Sequence, residues 1–205
     1  MTKVKICGLM EEEHVKVAVD AGADAIGFVF APSRRRVTIE EAQVLARNIP
    51  PGTLKVGVFV DASIEEIEET YRRVPLDLIQ FHGGESAEFI RKVRLPSIKV
   101  LAVHSDEDVK RAPQYEADYY LFDTPGTDFK GGSGTTFDWE LMNNVGIQAD
   151  RVILAGGLNA ENVGEAVRRV QPYMVDVSSG VESMKRKDSY LIRTFIQAVR
   201  DEGRL

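Results

Sequence analysis

The sequence predicts one α/β domain over residues 1–205, a single-domain (β/α)8 TIM barrel with eight parallel strands. Three observations carry that prediction. Short apolar runs alternate with amphipathic helical segments eight times, with no composition break or linker between them; a regular βα run implies a parallel sheet with right-handed crossovers. Ala25-Ile26-Gly27-Phe28-Val29-Phe30 is apolar throughout, as strands buried on both faces are. Glycines stop several of the runs abruptly, at what becomes the carboxyl edge of such a sheet. Eight units favour closure over an open doubly wound sheet. The runner-up, a flavodoxin-like or Rossmann-like open sheet, lacks the GxGxxG expected after its first strand.

The elements follow in order. Val4 to Cys7 is the first strand, stopped by Gly8, and Glu11 to Ala21 is a helix with Val15, Ala18 and Val19 on its apolar face. Ala25 to Phe30 is the second strand. Thr38 caps a helix from Ile39 to Arg47, and Glu41 completes a capping box. Leu54 to Val60 is the third strand; Ser63, with Glu66, opens a helix running through Arg73. Leu76 to His82 is the fourth strand, followed by a short helix at Ser86 to Val93. Ser97 to Val103 and Asp118 to Asp123 are the fifth and sixth, with a short helix opening at Ser105 between them. A glycine-rich loop, Thr124 to Thr136, precedes a helix around Asp138 to Leu141. Val152 to Leu154 and Met174 to Val177 are the last strands, with Asn159 as the helix N-cap between them, and Asp188 to Arg200 is a final amphipathic helix. The chain is short for eight units, so most loops are minimal, and the longer ones after strands two and six are expected to carry function.

Composition narrows the partners. The formal net charge of -6 gives the chain no general attraction to nucleic acid or to an anionic membrane, so any anion site is local. No apolar run approaches the roughly 20 residues that span a bilayer, and the N-terminus lacks a signal-peptide core. The single cysteine, Cys7, excludes an intrachain disulfide and fits a cytoplasmic location. No His, Cys or carboxylate cluster has a metal-ligand spacing. The expected partner is a small molecule, with the chain a monomer or homodimer.

The stretch from Arg151 to Glu182 places two glycine turns, Gly156-Gly157 and Ser179-Gly180, after neighbouring strands. Backbone amides there and the positive end of a helix suit a phosphate, at the place where this barrel often holds one.

Polar residues collect at the same rim: Cys7, Arg36, Gln80, His82, Asp123 and Asp176. A lone cysteine is ordinarily a small buried hydrophobe, but a thiol with a pKa of about 8.5 at a functional rim suits a base. Lys5, on the same side of its strand, favours the thiolate where the two are close. Asp123 either caps its own loop or acts as an acid; the latter needs burial or a nearby anion to raise its pKa from about 3.9. Arg34 and Arg35 read as solvated, whereas Arg36 at the end of that loop can reach over the mouth toward a carboxylate. His82 reads as either structural or substrate-facing. Gly131-Gly132-Ser133-Gly134 lacks the following Lys-Ser/Thr of a nucleotide loop and suits a cover or second anion contact.

The segments KICGL (5–9), GADAIGFVFAPSRRRV (22–37), VGVFV (56–60), QFHGGE (80–85), LFDT (121–124), GGSGTTFDW (131–139), LAGGLNAENV (154–163) and VDVSSGVE (175–182) together resemble the phosphoribosylanthranilate isomerase family of tryptophan biosynthesis. The resemblance spans nearly the whole chain. It implies a barrel with no metal or organic cofactor and an Amadori rearrangement of N-(5-phosphoribosyl)anthranilate. It also implies Cys7 as base, Asp123 as acid and Arg36 against the anthranilate carboxylate. Departures are small: Arg34-Arg35 stand where the family often has Ser-Pro or Ser-Lys, and QFHGG replaces QLHGD or QLHGE. Two other classes compete. Another phosphosugar barrel enzyme is distinguished by a substrate panel, and a non-catalytic phosphometabolite-binding barrel by ligand stabilisation without product.

Overall fold

The computed structural model describes residues 1–125 and 136–203. The part of the glycine-rich loop at 126–135, with its Gly-Gly-Ser-Gly run, lies outside the described residues. Eight strands pair in chain order and in parallel, and the first pairs with the eighth, closing the barrel. They are β1 (Lys3–Cys7), β2 (Ala25–Val29), β3 (Leu54–Phe59), β4 (Leu78–Phe81), β5 (Ser97–Ala102), β6 (Tyr119–Asp123), β7 (Val152–Leu154) and β8 (Met174–Val177). Each follows the expected apolar run, trimmed by a residue or two at several ends.

Strand alternation sorts side chains into two cores. Ala25, Val56, Leu78, Ile98, Leu121, Ile153 and Met174 fill the barrel interior. Ile6, Ile26, Phe28, Ile79, Phe81, Phe122 and Leu154 point outward and pack under the helices.

The helices are α1 (Glu12–Asp20), α2 (Ile39–Ala46), α3 (Ile64–Arg73), α4 (Ala87–Val93), α5 (Asp106–Lys110), α6 (Val163–Val170) and α7 (Ser189–Glu202). Local chemistry starts them where the sequence places them. Thr38 with Glu41, and Ser63 with Glu66, form complete capping boxes on α2 and α3. Asp188 caps α7 by accepting from the amides of Tyr190 and Leu191. No helix among the described residues is long and apolar enough to cross a membrane.

Three departures from the sequence reading bear on the carboxyl rim. The expected helix near Asp138 is a 3-10 helix, Trp139–Asn144; its one apolar patch, Trp139 and Met142, supplies too little periodic surface for a longer α-helix. Asn159 accepts from the amides of Glu161 and Asn162, capping a turn that precedes α6 rather than α6 itself. After β8 the chain makes a 3-10 turn, Ser179–Val181, then a two-stranded hairpin of β9 (Glu182–Ser183) and β10 (Arg186–Lys187). Such short strands carry no sequence periodicity.

Candidate active site

A cavity of about 830 Å³ opens at the carboxyl ends of the strands. Cys7, His82, Asp123, Gly156, Gly157, Ser179 and Gly180 all line it, as do Gln80 and Asp176. Two other clefts, of about 630 and 510 Å³, are more open and lie away from this rim.

The two glycine turns form one wall. Gly156 and Gly157 have φ of +87° and +63°, a turn geometry that makes concavities of backbone N–H groups. The second turn is pressed against the first: a β-carbon on Gly180 would stand 1.8 Å from the carbonyl oxygen of Leu158. Only glycine permits the two turns to meet and form one continuous wall of the cavity.

Cys7 and Lys5 point inward from β1, and Gly27 in register on β2 leaves room for them; a β-carbon there would lie 2.8 Å from Cys7 Sγ and 3.2 Å from Lys5 Nζ. Lys5 is fully buried, and its Nζ lies 2.9 Å from Asp176 Oδ1 on the adjoining β8. Desolvation pulls the ammonium down, but the Asp176 carboxylate outweighs it and holds Lys5 above the ordinary range. Burial pushes the Cys7 thiol up; Lys5 and Lys187 oppose that rise and Asp176 adds to it. The expected help from Lys5 toward the thiolate is therefore present but outweighed by desolvation.

Asp123 ends β6 and is 9% exposed. Burial first, then the Asp176 carboxylate, pushes its carboxyl up to about 7, against the opposing Thr124 N–H and Lys5 ammonium. The condition that the sequence set for an acid is met by position alone: a carboxyl protonated for about half of the time near neutrality. His82 Nε2 is 3.7 Å from Asp123 Oδ2.

The arginine run is divided. Arg34 Nη2 and Arg35 Nε bond Glu182 at 2.5 and 2.6 Å; Arg34 stays exposed, as the solvated reading expects, whereas Arg35 is largely buried, which corrects that reading for it. The β9–β10 hairpin carries Glu182 up to them, a contact across more than 140 residues that no local pattern reveals. Lys187 also reaches Glu182, at 3.1 Å, and donates to the carbonyl of Ser178 at 2.7 Å. Desolvation raises Glu182, but Arg35 and Lys187 outweigh it and bring the carboxyl down to about 2. Burial drives Lys187 down to about 8 despite Glu182. Arg36 does not line the cavity as it stands. It is exposed, and its backbone bridges to Val29, a wall residue.

The comparisons with known proteins agree over nearly the whole chain. Residues 4–198 match the family model described as N-(5'phosphoribosyl)anthranilate (PRA) isomerase. The chain belongs to that isomerase family. An N-(5'-phosphoribosyl)anthranilate isomerase of Bacillus thuringiensis (strain Al Hakam) is 49% identical over 195 residues, covering 95% of this chain and 96% of the relative. The crystal structure of the Thermotoga maritima phosphoribosyl anthranilate isomerase superposes with a TM-score of 0.90 at 39% identity, over 98% of this chain and 100% of that one. A further phosphoribosyl anthranilate isomerase structure, in complex with reduced 1-(o-carboxyphenylamino)-1-deoxyribulose 5-phosphate, matches at 38% identity and a TM-score of 0.86, over 98% of this chain and 100% of that one. Within this isomerase family frame, sequence reasoning missed the hairpin residues Glu182 and Lys187, which do not line the cavity but hold its wall residues Arg34, Arg35 and Ser178. The only trace was a run of charged residues, Glu182 and Lys185 to Lys187, following the second glycine turn.

Proposed function

We propose that Asp123 is the general acid and Cys7 the general base of the family's reaction in this chain. That reaction is the Amadori rearrangement of N-(5-phosphoribosyl)anthranilate to 1-(2-carboxyphenylamino)-1-deoxyribulose 5-phosphate, an aldose–ketose isomerisation of tryptophan biosynthesis. The observation that carries the assignment is a carboxyl group poised near pH 7 on the same cavity as the only thiol.

Asp123 gives its proton to the ribose ring oxygen. The bond from that oxygen to C1 breaks, and the nitrogen lone pair forms an iminium with C1. The Cys7 thiolate then takes the proton from C2, giving an enolamine that tautomerises to the ketone. General acid–base steps of this kind contribute about 10²- to 10⁴-fold each. The phosphate rests on the amides of Gly156, Gly157, Ser179 and Gly180, and His82 faces the sugar. Arg36 takes the anthranilate carboxylate: Arg34 and Arg35 are held by Glu182, while Arg36 has no ion pair among the described residues and sits beside the wall residue Val29. Binding at both ends holds the sugar between acid and base.

The residues named do this chemistry without a cofactor. A cytoplasmic monomer or homodimer completes the reading, and sedimentation velocity distinguishes the two assemblies. The test is a coupled fluorescence assay following loss of phosphoribosylanthranilate. Cys7→Ala and Asp123→Asn are each expected to lose at least 10²-fold in kcat while keeping the fold. Wild-type turnover in either removes that residue from the mechanism.

A further inference from the structure

Gln80, His82 and Asp123 form a row at the mouth of the barrel. Gln80 and His82, two residues apart, share the inner side, and both line the cavity. Gln80 Nε2 lies 3.3 Å from His82 Nδ1, and His82 Nε2 lies 3.7 Å from Asp123 Oδ2. With the Gln80 amide N–H set toward Nδ1, that nitrogen is the acceptor, and Gln80 Oε1 is left buried with no hydrogen-bond partner among the described residues. The single proton of a neutral imidazole then sits on Nε2, the atom that faces the carboxyl group. Gln80 is 1% exposed, so no bulk water competes for that hydrogen bond.

We propose that His82, held in its Nε2–H tautomer by Gln80, is the positioning residue of the general acid, its N–H stabilising the carboxylate that appears when Asp123 gives up its proton. The inference rests on the reading of Asp123 as the acid. The 3.7 Å separation is longer than a hydrogen bond. A neutral carboxyl has no charge to draw the ring closer; as charge develops, the contact shortens toward the roughly 2.7–2.9 Å typical of a charge-assisted bond. A donor that strengthens only in the transition state raises kcat rather than affinity. Of the other groups facing Asp123, Asp176 on β8 repels the new charge and Lys5 on β1 is committed to Asp176; the Thr124 N–H also favours the carboxylate, but it already bonds the carboxyl in the resting state.

The experiment uses the full chain and its variants. His82→Ala is expected to lower kcat about 10- to 100-fold with KM within about twofold, toward the low end of what one oxyanion donor supplies. Without the N–H the Asp123 carboxylate is less stable, so the acid limb of the kcat/KM profile moves to higher pH. His82→Gln, whose amide nitrogen reaches the place of Nε2, restores most of the loss. His82→Asn, which reaches only the place of Nδ1, does not. Nitrogen-15 imidazole shifts of the wild-type chain, read independently of any variant's folding, are expected to show Nε2–H at His82, and Gln80→Leu to mix in the other tautomer. The proposal is overturned by an Nδ1–H wild-type ring, by an unmoved acid limb in His82→Ala, or by equal activity of the Asn and Gln variants. Asp123→Asn separates the two readings: turnover in that variant sinks the acid assignment itself, whereas its loss beside an unaffected His82→Ala sinks only the inference about His82.

Discussion

Lys5 Nζ and Asp176 Oδ1 are 2.9 Å apart across the seam that closes the barrel, paired in register on β1 and β8. Their charges act in opposite senses on both proposed proton-transfer groups. Lys5 draws the Cys7 thiol and the Asp123 carboxyl down, and Asp176 pushes both up. Burial adds to Asp176 at each site, so the resting enzyme favours a thiol and a half-protonated carboxyl group.

The pH dependence of kcat/KM follows from that balance. With Asp123 as the proposed acid and Cys7 as the proposed base, turnover needs Asp123 protonated and Cys7 ionised. Asp123 titrates at about 7, and Cys7 is raised by burial above the ordinary thiol range. Below pH 7 the productive fraction grows with the thiolate. Between the two pKa values the gain of thiolate and loss of acid cancel, and above the upper one the rate falls. A bell with an acid limb near 7 is expected, its apparent values belonging to the coupled pair. Asp176→Asn removes an anion that raises both groups, so both limbs shift to lower pH. An acid limb at about 4, the ordinary carboxylate value, in the wild-type profile contradicts the geometry.

Asp123→Asn is expected to be inactive and more stable than the parent at pH 8. A carboxyl at about 7 when folded and about 3.9 when unfolded is neutral in both states below about pH 4. From about pH 4 to 7 the unfolded chain binds fewer protons, so stability falls as pH rises, by at most about 4 kcal/mol above pH 7. Urea unfolding of both proteins at pH 4 and pH 8 checks this: the gap should be large at pH 8 and close at pH 4. A constant gap contradicts it.

Two glycine substitutions separate the phosphate end from the thiol end. Gly180→Ala puts a methyl 1.8 Å from the Leu158 carbonyl oxygen, a backbone atom that cannot swing away. The turns must part, so the melting temperature should drop and inorganic phosphate bind at least about tenfold more weakly. Gly27→Ala crowds Cys7 Sγ at 2.8 Å instead. It should lower kcat with phosphate affinity unchanged in calorimetry. Reversed phenotypes would place the phosphate elsewhere.

Arg36→Ala should raise KM for phosphoribosylanthranilate roughly tenfold and leave inorganic phosphate binding intact, since the lost contact is to the far end of the substrate. Equal loss of both ligands contradicts the assignment. Equal effects of Arg36→Ala and Arg35→Ala on KM would mean that the Glu182 contact does not withhold Arg35.

Glu182→Gln tests the hairpin clasp through its pH window. A folded pKa of about 2 against an ordinary value of about 4.3 means stability that is fully present above that ordinary value and lost as pH falls through 2. The variant should therefore be less stable than the parent at pH 7 and equal to it near pH 2, as read by thermal unfolding. Equal stability at pH 7 shows that the clasp contributes nothing.

The sequence alone determined what short-range physics controls. Thr38 with Glu41 and Ser63 with Glu66 announce their helices because a capping box closes within a single helical turn. The strand runs announce the barrel because burial on two faces favours near-continuous apolar runs, broken in β1, β4 and β8 by the buried Lys5, Gln80 and Asp176. Cys7, Asp123 and the two glycine turns were legible as strand-end residues, and the chain-wide resemblance supplied their roles. Tertiary structure alone decided the charge states and the tethers. Asp123 reaches about 7 because the fold buries it and, second, because β8 brings the Asp176 carboxylate to the same cavity; Arg34 and Arg35 lose their freedom because a short hairpin lifts Glu182 against them. Coulomb forces and desolvation act through space between groups such as Lys5 and Asp176, 171 residues apart in the chain, and nothing in the local order of residues encodes such distances.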